Sequence, residues 1–275
     1  MTLRIGQIGY ANVTPIFTAL MQNFPASSYQ IVRGVPSRLN ALLSGGDIDL
    51  CPSSSIEYAK SPDSYYLLPD LSISSVGPVK SVLLFSRVPL KELDGCTMGL
   101  TTDSDTSVNL LRILMARSYG FSNEFERTAL PLNKALEAFP AVLLIGDAAL
   151  RGSMGGEGTH VYDLGEEWFR FTGLPFVFAL WIVRREAVEG KYGEVATLLS
   201  NLRAAKRIAY ESYDAIAAKC EEERWMGREN LVEYWRCISY DLSPFHVQGV
   251  KEFFRYAAEM GILPREPEIR MFPEP

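Results

Sequence analysis

The residues with chemistry to offer gather in a few short stretches. Residues 104–107, Ser-Asp-Thr-Ser, stand where an apolar strand over 97–100 gives way to a helix. Its apolar positions Val108, Leu111, Leu114 and Met115 recur at i, i+3, i+6 and i+7. The first N–H groups of a helix have no internal partner, and together with the helix dipole they can hold a carboxylate or phosphate. Ser104 or Thr106 would equally serve as a plain cap, and Ser107 extends the hydroxyl run. A second hydroxyl-rich helix start, Ser53-Ser54-Ser55 ahead of Ile56, repeats the arrangement. Asn12, in the loop Tyr10-Ala11-Asn12-Val13-Thr14-Pro15, brings an amide donor and acceptor, or merely a turn. Ser81 opens an apolar strand behind Gly77-Pro78-Val79-Lys80, where strand-edge polarity is its simplest role. Gly146 and Asp147 open one more helix and join the candidate ligand contacts. Two hydroxyl-bearing helix starts together fit a small ligand with two carboxylates. The lack of a glycine-rich Walker or dinucleotide loop speaks against a nucleotide. Tyr10 and Phe176 are candidates for stacking on an apolar ring, although the aromatic run 168–181 around Phe176 is more often core.

These groups need elements to carry them. Residues 3–8 read as a strand and the helix after it opens on Pro15. A strand over 29–33, a helix over 36–44 stopped by Gly45-Gly46, and a strand over 48–51 follow. Strand and helix alternating at this spacing predict a parallel α/β sheet. A second run comprises strand 81–85, strand 97–100, helix 106–119, a helix near 134–139 and strand 142–145. Residues 176–183 predict a long apolar strand, and from 186 onward the pattern is helical, about 187–219, 227–240 and 245–260. The reading is an α/β chain of two lobes, 1–86 plus 181–275 and 87–180. Crossings fall near 86 and 180, a ligand cleft lies between the lobes, and the C-terminal helices pack on lobe one.

Composition narrows the classes. At 275 residues the chain can bury a substantial core, and 47% hydrophobic with 22% charged residues is ordinary for a globular protein. A net charge of −6 without a basic cluster argues against nucleic acid. The opening Met-Thr-Leu-Arg-Ile-Gly-Gln-Ile does not read as a secretory signal, and no apolar stretch reaches membrane-spanning length, so a cytoplasmic chain with no membrane partner is expected. Four cysteines, none in a Cys-x-x-Cys pair, predict reduced thiols. With only His160 and His246 available, neither beside a suitable partner, no metal site and no cofactor are expected. The sequence leaves self-association open.

Several of these stretches carry a family likeness. Residues 8–15 (Ile-Gly-Tyr-Ala-Asn-Val-Thr-Pro), 34–40 (Gly-Val-Pro-Ser-Arg-Leu-Asn), 46–50 with 53–58, 77–82 (Gly-Pro-Val-Lys-Ser-Val) and 104–107 resemble the futalosine-route chorismate dehydratases of menaquinone biosynthesis. The resemblance covers 3–185 strongly, while the C-terminal helices match only in character. Ala11 departs from it, since the family more usually carries a larger apolar residue there. The resemblance implies a two-lobed fold like the type II periplasmic binding proteins. It also implies a dianionic substrate, chorismate, and elimination of water to give 3-[(1-carboxyvinyl)oxy]benzoate. By the same resemblance Asn12 and Ser81 are the catalytic pair, with Ser55, Thr106 and Ser107 anchoring carboxylates.

Chorismate must lose its C4 hydroxyl and C3 proton to become aromatic. That proton is vinylogous to the ring carboxylate, so its removal leaves a delocalised dienolate, which oriented N–H and O–H donors stabilise. No His or carboxylate in the matching motifs is an evident base, and Asp103, Asp105 and Asp147 are poor ones beside an anion. The substrate's own enolpyruvyl carboxylate is therefore expected to take the proton, oriented by Asn12, with Ser81 near the departing hydroxyl. The competing readings are the later dihydroxynaphthoate-forming lyase of the same route, a non-catalytic small-anion binding protein, and the sensing domain of a regulator. The lyase would want a His base and an opening loop rich in Pro and Asp, both lacking here. An exported binding protein would need a signal, and a regulator a DNA-binding segment.

Overall fold

In a computed structural model that describes residues 2–24, 27, 29–155 and 158–274, the alternation of the first strand decides the first layer. In β1 (Leu3–Ile8) the side chains of Leu3, Ile5 and Ile8 are buried, and β1 pairs in parallel with β2 (Tyr29–Gly34) and with β3 (Leu50–Ser54). Between them run α1 (Thr14–Asn23) and α2 (Pro36–Gly45), each with a proline in its first turn, where a missing N–H costs nothing. The short α3 (Ser55–Lys60) follows β3 directly, and β4 (Tyr65–Ser75) closes one side of the sheet.

The chain then builds a second sheet, ordered β7-β6-β8-β5-β9. Its strands are β5 (Val82–Ser86), β6 (Thr97–Leu100), β7 (Glu124–Arg127), β8 (Ala141–Ile145) and β9 (His160–Asp163). Here β6 runs parallel to β7 and β8, while β5 runs antiparallel to β8 and β9. Helix α4 (Asp105–Ile113) continues as a π-helical turn to Ser118, and α5 (Leu132–Ala138), α6 (Gly146–Gly155) and α7 (Leu164–Thr172) complete the layer. Leu83, Phe85, Leu136, Phe139 and Val142 form a buried cluster between β5, β8 and α5. Strand β10 (Phe176–Arg184) returns to the first sheet, antiparallel to β3 with Leu180 opposite Ser53. Four helices follow, α8 (Arg185–Glu211), α9 (Tyr213–Ala217), α10 (Glu223–Met226) and α11 (Arg228–Cys237), and then α12 (Pro244–Glu259).

Two compact units result: residues 1–74, 177–244 and 267–275, and residues 75–176 with 245–266. The expected boundaries near 86 and 180 differ from these at two places. Strand β5 belongs wholly to the second sheet, because its apolar residues pair with β8 in register from Val82–Ile145 to Ser86–Ala141. Helix α12 belongs to the second unit rather than with the other C-terminal helices. Its Phe253 packs at 5.1 Å on Phe176 and 6.4 Å on Trp168, a face the sequence showed only as periodicity. Both sheets are mixed rather than purely parallel. Among the described residues no helix is long and apolar enough to cross a membrane.

One buried charge ties the first unit together. Asp49 is 3% exposed; its carboxylate accepts from the Arg4 backbone N–H at 2.8 Å, from Arg4 Nη2 at 2.7 Å and from Lys191 Nζ at 2.7 Å. Lys191 is the residue at which α8 departs from helical angles, and its ammonium also reaches the Thr2 carbonyl. Burial pushes the Asp49 carboxyl up, but the Arg4 bonds and the Lys191 ammonium outweigh it and hold the group below its ordinary value. A carboxylate depressed in the folded state contributes stability above its unfolded value, and loses it as pH falls through the folded one. Asp49→Ala is therefore expected to lower stability at pH 7 by about 3 kcal/mol in urea unfolding. The gap from the wild type should narrow below about pH 4, where the carboxylate of the unfolded chain takes up protons.

Candidate functional site

Strands β1 and β3 are parallel neighbours, so the loops leaving them emerge at the same edge of the first sheet. The first loop turns through a 3-10 segment, Ala11–Val13, into α1. Two side chains far along the sequence hold its backbone. Trp235 Nε1 donates to the Ala11 carbonyl at 2.8 Å, and the Tyr240 hydroxyl donates to the Asn12 carbonyl at 2.7 Å. Tyr240 is fully buried, and burial pushes its phenol well above the usual range, so the O–H stays a donor. With its carbonyl held, Asn12 has its amide to give. Its side-chain Oδ1 is buried and has no hydrogen-bond partner among the described residues. A buried polar atom left this way costs free energy that a ligand donor would recover.

At the end of β3 the serines are already employed. Ser53 donates to Asn40 Oδ1, and Ser55 Oγ, fully buried, donates to the Val177 carbonyl of β10 at 2.6 Å. Ser54, 4% exposed, precedes α3 without capping it through its side chain. Ser55 thus gives its hydroxyl proton to the sheet. Tyr10 lines a cavity of about 340 Å³ with Thr14, Arg33, Lys219, Glu221 and Glu222, which brings two cations and two carboxylates to the neighbourhood of the Asn12 loop.

In the second unit three of the expected segments meet at one sheet edge. Strands β6 and β8 run parallel, so residues 101–107 and Gly146 leave the same edge, and Ser81 enters antiparallel β5 there, beside Ile145. Gly146, with φ of 58°, opens α6 and donates its N–H to the Ser81 carbonyl at 2.7 Å. Ser81 is 3% exposed, and among the described residues its hydroxyl makes only a long 3.4 Å contact to the Val79 carbonyl. Ser104 is the N-cap of α4, accepting from the Ser107 N–H at 3.3 Å, so the plain capping role holds for this serine. The Ser104 and Ser107 hydroxyls also bond each other at 3.3 Å, which leaves the pair one O–H to offer outward. Thr106 is fully buried in the first turn beside them, and Asp147 is half-buried in the first turn of α6. Asp105 pairs with Arg127 at 2.5 Å, which ties up that carboxylate as a base. A cavity of about 550 Å³ lies over this edge, lined by Thr101, Asp103, Thr128, Ile145 and Arg151.

Phe176 does not offer a stacking face. It is 1% exposed and sits edge-on to Trp168 at 5.2 Å and Phe253 at 5.1 Å, so the aromatic run serves the core of the second unit. Four groups had no local signal: Trp235, Tyr240, Arg33 and Lys219 reach the Asn12 region from distant segments. Arg151 had a faint one, lying a turn and a half into the helix that Gly146 opens. Tyr240→Phe is expected to cost about 1 kcal/mol in urea unfolding, with an unchanged m value, because the Asn12 carbonyl loses its donor.

A family model described as menaquinone biosynthesis matches residues 3–259. A chorismate dehydratase of Thermus thermophilus is 37% identical over 219 residues, 74% of this chain and 76% of the relative. Solved structures agree on the fold. A protein from Archaeoglobus fulgidus superposes with a TM-score of 0.77 at 18% identity, covering 95% of this chain and 98% of its own. The alkanesulfonate-binding protein of Xanthomonas axonopodis gives 0.71 at 14%, covering 97% and 95%. A Candida albicans protein described as having the generic periplasmic binding protein fold gives 0.62 at 14%, covering 100% and 98%. At these identities the structures speak for the periplasmic-binding-protein-like fold alone.

Proposed function

The chain belongs to the menaquinone-biosynthesis family, and from that premise we propose that it is a chorismate dehydratase, a hydro-lyase forming 3-[(1-carboxyvinyl)oxy]benzoate and water. The observation that carries the reading is Asn12: a buried amide oxygen without a partner, on a loop whose backbone is held by Trp235 and Tyr240. The amide of Asn12 can give N–H to one oxygen of the enolpyruvyl carboxylate and accept O–H on the other once that carboxylate has taken the C3 proton. The protein then has no need of a base of its own. The Asp105–Arg127 pair supports this, since a guanidinium already engages that carboxylate at 2.5 Å.

Loss of the C3 proton places negative charge on the ring and its carboxylate. The positive ends of α4 and α6, with the outward O–H of the Ser104–Ser107 pair and the hydroxyl of Thr106, are suited to that charge. The C–O bond at C4 then breaks, and the hydroxide leaves as water with the proton that the carboxyl group holds. Ser81, its own hydroxyl barely engaged, hydrogen-bonds the departing oxygen. Elimination is redox-neutral, so the reading calls on a small dianion as sole reactant. A cytoplasmic setting belongs to the same proposal.

Incubation with chorismate, followed by the ultraviolet spectrum of the aromatic product, tests the activity. Its absence, with binding retained, would favour a small-anion binding protein. Asn12→Ala and Ser81→Ala are each expected to lower kcat by about 100-fold or more at nearly unchanged KM. Near-normal kcat in Asn12→Ala would remove Asn12 from the chemistry. Loss of turnover with intact binding in Asp105→Asn or Asp147→Asn would replace the substrate carboxylate with a protein base.

A further inference from the structure

We propose that Asp163 is the positioning residue for Ser81: its carboxylate grips the backbone of Val79 and Lys80 and thereby sets where the Ser81 hydroxyl stands. The inference rests on the reading of Ser81 given above and adds a residue that no motif around Ser81 contains.

The turn that delivers Ser81 into β5 is an unfavourable one for its residues. Lys80 has φ of 61°, a left-handed conformation that a side chain with a Cβ rarely adopts. Left alone, such a residue would relax toward the ordinary region and carry Ser81 with it. Asp163, the last residue of β9, opposes this. It lies across from Leu83 of β5, and its Oδ2 accepts from the Lys80 N–H at 2.6 Å and from the Val79 N–H at 3.0 Å.

The same carboxylate caps α7. Its Oδ1 accepts from the Gly165 N–H at 2.9 Å and the Glu166 N–H at 3.2 Å. A helix cap requires only these last two bonds. The other two reach residues 83 and 84 positions earlier, and they are the ones that concern Ser81.

Two further contacts seat the turn. The Gly77 carbonyl accepts from Ser75 Oγ at 2.8 Å, and a Cβ placed on Gly165 would stand 2.7 Å from both of these oxygens. The first turn of α7 therefore lies against the Gly77 turn at a distance only glycine permits. On the other side of Ser81, its carbonyl is held by the Gly146 N–H at 2.7 Å. Ser81 is thus fixed from before by Asp163 and from after by Gly146, while its hydroxyl is left almost unengaged. Backbone at this site is held by strong bonds so that the side chain need not be, which is the arrangement a preorganised hydroxyl needs. Burial pushes the Asp163 carboxyl above its ordinary value although four N–H groups pull it down. A carboxyl kept there against that cost fits a role beyond capping.

The test compares Asp163→Asn, Asp163→Ser and Ser81→Ala in the full chain with chorismate, alongside amide hydrogen exchange. Serine caps a helix nearly as well as aspartate but is too short to bond Val79 and Lys80. Asp163→Ser should therefore keep the fold, with a melting temperature lower by about the few degrees that two unpaired N–H groups cost, while kcat drops about 10-fold or more at KM within about two-fold. Exchange at the Val79 and Lys80 amides should quicken by about 10-fold with the rest of the unit unchanged. Lys80→Gly, which takes the left-handed conformation without penalty, should restore at least about a third of the lost kcat in the Asp163→Ser background. If Asp163→Asn fails to fold, Asp163→Ser carries the same comparison. A kcat within about two-fold of wild type despite faster exchange at Val79 and Lys80 would overturn the proposal. So would a loss of kcat that Lys80→Gly does not relieve and that comes with faster exchange throughout the unit. Full activity in Ser81→Ala would instead overturn the role given to Ser81, and the positioning role with it; the exchange data would still show whether Asp163 holds the turn.

Discussion

A short turn cannot hold a functional group still by itself, and the organisation of both units follows from that constraint. Local hydrogen bonds in a turn are few, and water competes for each of them. The groups read here as functional sit on such turns: Asn12 in a 3-10 segment, Ser81 after a left-handed lysine, Gly146 at a left-handed helix start. Each is held by a partner distant in sequence. Trp235 and Tyr240 grip the carbonyls of Ala11 and Asn12, and Asp163 grips the amides of Val79 and Lys80. In every case the bond goes to the backbone, and the side chain that would meet a ligand is left uncommitted or nearly so.

The hydroxyls show the complementary side of the same accounting. A serine has one proton to give, and once it is given to the fold it is no longer available to an anion. Ser55 donates to Val177 and Ser53 to Asn40, so the serine run at the end of β3 consolidates the sheet. The Ser104–Ser107 pair keeps one proton for use outward. The cavities carry both signs: Arg33 and Lys219 stand with Glu221 and Glu222 in the first unit, and Arg151 with Asp103 in the second.

The alternation of strand and helix was legible because apolar periodicity is local: β1, α2, β3, β6, α4 and β8 all stand close to where the pattern puts them. The strands without a pattern were not. β4 carries Pro69 and a left-handed Asp70 in its middle, both breaker signals, and β7 is Glu-Phe-Glu-Arg at a sheet edge, with three polar residues in four. The membership of β5 and α12 was hidden for a different reason. An apolar strand or an amphipathic helix states that it will bury a face, but not against which sheet.

What the sequence by itself determined is therefore the class of fold and the residue types at each strand end, down to the motifs that mark the family. Its capping serines and its Pro and Gly boundaries belong with these, since such preferences act over three or four residues. Only the tertiary structure decided which hydroxyls were already committed, that Phe176 is core, and that Tyr240 and Asp163 stand behind Asn12 and Ser81. The bonds of Asp163 and Tyr240 span 83 and 228 residues, and a hydrogen bond between such partners leaves no trace in the spacing of either.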